Sequence, residues 1–427
     1  MHTLSISSLR YNFRPLLTWG LSIYAVLSLG SMATMSLGAA FLMAIVLIVY
    51  GGPIGLKNRF KIILEQGATP ARWVLKSYWN LSLVLLGTCV LSLLAAQLWP
   101  VGWSGRFVHI EGLSDLAKAW YFIWPLLLWI SLSDLNDREY SIVLNAWFTM
   151  AILVSAIGCA QFYTGWPRAQ AIPPLPGRYH ATLFFGHHLS TASILIFPLF
   201  SALALLRKPP TAVRISKAIL VCCAILSAAA LFLSYSKTLW VALPVGLAVF
   251  AMRGLSNRKK LILAVLVVCL AVGATFISAV SQRLHDGMGL TDRLALWKAN
   301  FEFFKLRPIT GVGFRHNLEA SVYYQEAILG KGADIFVGHA HNNLVEMLGG
   351  VGLLGALSWV AWCGFVFRVF GRALKHSQTE LLGWGLFCAW LVFQINGLTQ
   401  VNFWEGKVMH QMMWALALGM REWKNDA

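Results

Sequence analysis

The residues best suited to chemistry are His339 and His341. They lie in the run Gly338-His339-Ala340-His341-Asn342-Asn343-Leu344-Val345-Glu346, which closes the longest polar segment of the chain. An apolar stretch begins directly after it. Asn343 with Glu346 three residues on is the pairing of an N-cap with its capping partner, so a helix is expected to start near Asn342–Leu344. His341 then stands just ahead of a helix N-terminus. The positive end of the helix dipole disfavours imidazolium, and a neutral imidazole can take a proton. The same terminus stabilises a nearby anion. A capping or interfacial histidine without chemistry has the same spacing. A metal would need a further ligand beside His339 and His341, and i,i+2 is not the i,i+4 pairing of a helical zinc site, so no metal is expected.

A second group is basic: Arg178, Lys237, Arg283, Arg293, Lys298, Arg307 and Arg315. The topology derived below puts them on the face where Lys and Arg are normally scarce. Arg178 precedes Tyr179-His180 and the run carrying His187-His188, and Lys237 follows Ser234-Tyr235-Ser236 at the mouth of another apolar run. Arginine suits the planar, multi-oxygen geometry of phosphate, so the group suits a lipid-linked phosphate or pyrophosphate. Contact with lipid headgroups would also account for any one of them. No Asp-x-Asp pair lies on that face to hold a metal-bound nucleotide sugar. Asp134, Asp137 and Glu139 fall on the opposite face and are expected to be solvated.

Membrane-spanning elements must position these groups. Only 12% of the residues are charged and 58% are hydrophobic, whereas a soluble domain carries about 25% charged residues. The net charge of +17 fits Lys and Arg gathered in cytoplasmic loops, so nucleic acid is not an expected partner. The cysteines all lie in apolar runs and none forms a C-x-x-C pair, so they are expected to be small buried hydrophobes. Arg10 and Arg14 precede the first apolar run with no A-x-A-like cleavage site, which predicts a retained first helix. Leu16–Tyr50 is too long for one span and divides at Gly30-Ser31. Further runs lie at 73–99, 117–133, 140–163, 181–206, 213–233, 237–252, 260–280, 343–367, 379–398 and 407–421. A span needs about 20 apolar residues, which makes about twelve in all.

Twelve spans put the clusters around Arg10, Arg59, Arg138, Arg207, Arg258, Arg372 and Arg421 on one face, as the positive-inside rule requires. Both termini are then cytoplasmic. The chain divides into 1–280 with nine spans, an outer loop at 281–341, and 342–427 with three spans. Trp99, Trp103, Trp166 and Trp404 lie near span ends and are expected to be interfacial anchors. In the outer loop, Leu294, Trp297, Phe301 and Phe304 recur at helical spacing after Thr291-Asp292. An amphipathic helix is predicted there, lying on the membrane or over a cavity, or simply packed on the surface. Pro308 ends it and Gly311-Val312-Gly313 turns the chain. Gly349, Gly352 and Gly355 recur every third residue and predict a small-residue face for close helix packing.

His341-Asn342, nine residues, then Gly352-Leu353-Leu354-Gly355 resembles the histidine motif of the O-antigen ligase family. That superfamily also holds O-antigen polymerases and protein O-oligosaccharyltransferases. Arg293-Leu294-Ala295-Leu296-Trp297 with Pro308 and Gly311-Val312-Gly313 resembles its loop motif, and Arg178 to Ser190 its earlier arginine segment. The resemblance implies an all-α polytopic membrane protein of GT-C-like architecture in the bacterial inner membrane, with about twelve transmembrane helices, one large periplasmic loop and a periplasmic active site. It implies transfer of a polysaccharide from undecaprenyl pyrophosphate to a hydroxyl of lipid A–core, in lipopolysaccharide biosynthesis, without metal or other cofactor. His341 would be the general base, with His339 beside it. Arg178 and Arg293 would hold the pyrophosphate, and Lys237, Arg315, Arg283, Asn342 and His187 would contact substrate. Lys237 stands where the pattern would have arginine, so it offers charge without a two-pronged donor. A polymerase differs only in its lipid-linked acceptor. The place of the large loop favours the ligase, and the missing C-terminal outer region disfavours the oligosaccharyltransferase. A flippase would instead show inverted repeats and helices broken at mid-span. The metal-free expectation has a direct check: transfer should persist in excess EDTA, and loss restored by Mg²⁺ would contradict it.

Overall fold

A turn at Gly30-Ser31 divides the first apolar run because Ser31 Oγ accepts from Thr34 N at 3.3 Å and caps a new helix. The computed structural model describes residues 6–66, 69–103, 105–108, 113–172, 175–207, 214–260, 290–330, 335–371 and 381–421. The first helices are α1 (Ile6–Leu27), α2 (Met32–Tyr50), α3 (Gly52–Gln66) and α4 (Thr69–Leu98). A hairpin of β1 (Gly102–Trp103) and β2 (Arg106–Phe107) follows, then a 3₁₀ stretch (Leu113–Phe122), α5 (Trp124–Ser133) and α6 (Asp137–Thr164). A second hairpin, β3 (Ala171–Ile172) and β4 (Leu175–Tyr179), leads to α7 (His188–Ile194), α8 (Ile196–Arg207), α9 (Lys217–Leu233) and α10 (Lys237–Met252). The outer-loop helices are α11 (Leu290–Leu306) and α12 (Asn317–Leu329). The described chain closes with α13 (Asn343–Gly371), α14 (Leu381–Asn396) and α15 (Gly406–Arg421).

Six described helical stretches are long and apolar enough to cross a membrane, and four more apolar helices are shorter. By length and hydropathy the protein is therefore a multi-pass membrane protein. Besides the break in α13 described below, two expected spans are not single helices. The run 117–133 is 3₁₀ up to Phe122 and then restarts as α5, with Pro125 in the first turn, where its missing N–H costs nothing. The run 181–206 is split between a 3₁₀ turn, α7 and α8, and Pro198 again sits in a first turn. Hydropathy measures apolar length but not helical continuity. The expected span at 260–280 lies outside the described residues.

Helix α15 falls short of the apolar criterion because it is enclosed by the bundle. Every residue from Val408 to Met420 is buried, so its polar groups find protein partners. Gln411 Nε2 donates to Ser28 Oγ (2.7 Å) and Ser28 O (3.0 Å), and Gln411 Oε1 accepts from Trp147 Nε1 (3.1 Å). At the far end of this helix, Asp134 is not solvated as expected. It accepts from Tyr50 Oη (2.8 Å) and pairs with Arg59 (2.5 Å).

The outer loop packs as a small layer of its own. Ala299, Phe303, Val312 and Ala320 form a cluster with Val101 and Val108 of the first hairpin. Trp103 leans on Phe303 at 5.3 Å between rings, so it is a packing residue, not an interfacial anchor. Arg106 pairs with Glu326 across the two segments. Helix α11 exists as predicted, but its inward face is rotated. Leu296, Ala299, Asn300 and Phe303 face inward, whereas Leu294 and Phe301 are exposed. Small and polar residues face inward because they meet glycines: the Asn300 side chain lies against Gly349, and that of Asn317 against Gly350.

Those glycines do more than form a packing face. Helix α13 is interrupted at Gly352, where φ is 72° and ψ is −167°. The segment Pro308–Gly313 fills the break. Leu353 N donates to Pro308 O (2.8 Å) and Leu354 N to Ile309 O (3.4 Å), while Val312 N and Gly313 N each donate at 3.0 Å to Gly349 O and Gly350 O. The remainder of α13 to Gly371 spans about 28 Å at 1.5 Å per residue, enough to cross a bilayer. The break thus falls at one end of the span and not at its middle. A side chain at Gly352 would overlap the Ile309 backbone in a conformation essentially restricted to glycine. Gly352→Ala should therefore cost at least about 1–3 kcal/mol, seen as a lower melting temperature of the purified protein. Gly364→Ala, whose Cβ would meet open space, should leave it unchanged or raise it.

Candidate functional site

The loop before α13 is held on every side. Asn342 is the residue that caps the helix: its Oδ1 accepts from Leu344 N (2.9 Å) and Val345 N (3.1 Å), and its Nδ2 donates to Leu398 O (2.9 Å). The expected cap at Asn343 is displaced by one residue. Asn343 instead donates from Nδ2 to Asn402 Oδ1 (2.7 Å), and its backbone N donates to Gly397 O (2.9 Å). Glu346 reaches back past the cap to accept from Ala340 N (2.7 Å). Trp297 of α11 donates from Nε1 to Ala340 O (2.7 Å).

This grip holds His341 in the left-handed region, with φ of 49°. For a non-glycine residue that costs about 1–2 kcal/mol. His341 N donates to His339 Nδ1 (3.3 Å), which leaves the His339 proton on Nε2. The two rings are 4.3 Å apart. Buried His341 Nδ1 has no hydrogen-bond partner. Burial first, then the nearby His339, Arg293 and His187, push the His341 pKa down to about 3. The ring is neutral at pH 7, with burial and neighbouring charge as the leading causes. His339 and His187 are also held below the ordinary imidazole value, chiefly by burial.

His341, His339 and His187 line one cavity of about 430 Å³ together with Lys118, Arg315 and Glu405. Arg315, like His341, has a positive φ, at 68°. Two strained residues on one cavity wall fit a site held against local preference. His187 caps α7 by accepting from Leu189 N (3.3 Å). It stacks on His188, which stacks on His180, at 4.6 and 4.2 Å. Trp404 lines the cavity as well and is buried, so it is not the expected interfacial anchor. Its ring packs on Phe314 at 4.8 Å.

The other residues singled out in the sequence fall elsewhere. Arg293 lies close enough to His341 to depress its pKa, although it is not in the cavity lining. The Arg178 guanidinium sits over Tyr163, 4.8 Å from the ring centre, and also lies outside the lining. Lys237 is half-buried in the first turn of α10, next to Thr238, which bonds Thr399. The Asn342 side chain is occupied by the cap. Arg283 lies outside the described residues. Polar lining residues not singled out for chemistry are Lys118, hidden in an expected span, Asn317 of α12, Glu346, read only as a capping partner, and Gln400 and Glu405, on a short loop far away in the chain.

Among the described residues no three His, Cys, Asp or Glu side chains are grouped as a metal site. The arrangement is a multi-pass membrane protein with a polar, cation-bearing cavity against a neutral histidine. Residues 222–360 match the family model described as O-Antigen ligase (Wzy_C). This third of the chain is thus similar to enzymes of lipid-linked sugar transfer, and it contains Arg293, Arg315, His339, His341 and the Gly352 break. The chain matches no curated protein.

The charge around His341 is open to measurement. Diethyl pyrocarbonate acylates neutral imidazole only, so mapping the modified peptide against pH gives the titration of this ring. Wild-type His341 should stay reactive well below pH 6.5, the ordinary value being about 6.5. Arg293→Gln removes a cation that opposes imidazolium, so the midpoint should move up. A wild-type midpoint near 6.5, or a downward move, would contradict the assignment.

Proposed function

We propose that the protein is an O-antigen ligase. It moves a polysaccharide from a polyprenyl pyrophosphate, of the undecaprenyl type, to a sugar hydroxyl of lipid A–core. The observation that carries this reading is a neutral, half-buried His341 in a cavity whose lining also holds Lys118 and Arg315. The match over residues 222–360 supports it. The acceptor oxygen attacks the anomeric carbon as the bond from that carbon to the pyrophosphate oxygen breaks. His341 takes the acceptor proton as general base, and the electron pair leaves on the pyrophosphate. Arg293 and Arg315 stabilise that leaving charge. Arg178 and Lys237, outside the lining, belong to the path by which the anionic donor arrives.

An imidazole with a pKa of about 3 is a weak base in the empty cavity. A bound pyrophosphate reverses the local field and raises that value toward the working pH. The base is thus strengthened only when the donor is present. The positive-inside distribution supports a periplasmic cavity with both termini in the cytoplasm.

The test is reconstitution of purified protein with lipid-linked polysaccharide and lipid A–core. A glycolipid product is expected from wild type. His341→Ala should lower the rate by about 10²–10⁴-fold, the usual worth of a positioned base, with unchanged membrane insertion. Full activity in that variant would remove His341 as base. Growth of the lipid-linked chain without glycolipid would make the enzyme a polymerase.

A further inference from the structure

The wall that carries Glu405 is unlike the rest of the cavity. It is built by the loop between α14 and α15, which brings Gln400, Trp404 and Glu405 into the lining. Both polar side chains are anchored from α7. Ser190 Oγ donates to Glu405 Oε1. Gln400 Nε2 donates to Ser193 Oγ at 2.6 Å. The Ser193 hydroxyl donates its own proton to Leu189 O (3.1 Å), so it must accept from Gln400. That fixes which way the amide points. Gln400 Oε1 is then left buried with no partner.

Burial pushes the Glu405 carboxyl above its ordinary value, partly offset by the Ser190 hydrogen bond and by the charges of Lys407 and Lys118, which flank it. Lys118 Nζ donates to Trp404 O (2.9 Å) and Lys407 Nζ to Phe185 O. The lysines are therefore tied back to the loop and to the segment before α7. Among the described residues, no hydrogen bond reaches the second carboxylate oxygen, Oε2. A carboxylate repels a pyrophosphate, so this wall is not where a phosphate would sit. A carboxyl oxygen and an unpartnered amide oxygen are both acceptors, and a ligand that satisfies them must bring donors. Trp404 adds an aromatic surface beside them. Hydroxyl donors carried on an apolar C–H face are the chemistry of a sugar ring.

We propose that Glu405, with Gln400 and Trp404, is the subsite that binds the hydroxyls of the acceptor sugar and presents the reacting one to His341. This rests on the transfer reading above and assigns the acceptor end of the same cavity. Glu405 is an acceptor-binding residue and takes no proton in the reaction.

The experiment measures initial rates with lipid A–core varied at saturating donor, and with donor varied at saturating acceptor. Saturation-transfer NMR runs in parallel, with the core oligosaccharide released from lipopolysaccharide as the probe. Glu405→Gln keeps the shape and the Ser190 bond but removes the charge. It should raise the acceptor KM about tenfold or more, as loss of a hydrogen bond to a charged group does, with the donor KM and melting temperature unchanged. Glu405→Asp keeps the charge and should recover part of the loss, which separates binding from folding. An unchanged acceptor KM in an active enzyme, or an equal rise in both KM values, overturns the subsite. Wild-type protein that binds the oligosaccharide through Glu405 yet forms no glycolipid overturns the transfer reading alone. Absence of saturation transfer from the wild type, with glycolipid still formed, overturns the subsite alone.

Discussion

The structure depends on four backbone hydrogen bonds between Pro308–Gly313 and the break in α13. A helix interrupted inside a membrane protein leaves carbonyl and amide groups that cost about 1–3 kcal/mol each if buried unpaired. The outer loop supplies their partners. It can approach that closely only because Gly349, Gly350 and Gly352 offer no side chain against Asn300, Asn317 and Ile309. One constraint therefore ties the large loop to the last group of helices. Through Trp297 and Ala340 it also fixes the histidine loop.

The site inherits its rigidity from that docking. The half-helix starting at Asn343 is short, and its start is pinned by Asn342, Glu346 and Gly397. A histidine in the left-handed region would relax if the loop were free. Here Ala340 is held from both its N–H and its carbonyl, so His341 has nowhere to go. Strain of about 1–3 kcal/mol per residue persists only where surrounding bonds over-determine it.

Local signals were legible in the sequence where the physics is local. Ser31 caps α2, the helix after His341 starts within a residue of its expected position, and a helix covers the run from Leu294 to Phe304. Tertiary effects were not legible. The buried face of α11 turned because Asn300 meets a glycine, which no helical wheel reports. The triplet of glycines carried a periodicity suited to helix packing, yet one of them breaks the helix. Asp134 looked solvated in its loop because its partners, Tyr50 and Arg59, come from a distant turn. Of the candidate site, His341, His339, His187 and Arg315 were visible as odd polar residues, and they share one cavity. Glu405 and Gln400 belong to it through contacts with Ser190 and Ser193, more than two hundred positions away in sequence.

The electrostatics of this cavity follow from its composition and not from one special group. Burial makes any charge on the three lining histidines costly, and nearby cations make a positive one costlier still. Neutral rings are therefore the cheapest arrangement here. Under the transfer reading, an entering pyrophosphate would change the sign of the local field, and the same cations would bind the ligand instead of opposing the imidazolium. On that reading basicity and donor binding are coupled by linkage: a proton on His341 and an anion beside it would stabilise each other. A helix dipole alone could not do this, since its fixed partial charge at Asn343 opposes imidazolium with or without substrate. On that reading the mobile part of the field comes from the ligand, so cations flanking a neutral base would serve pyrophosphate transfer better than a base already paired with a carboxylate.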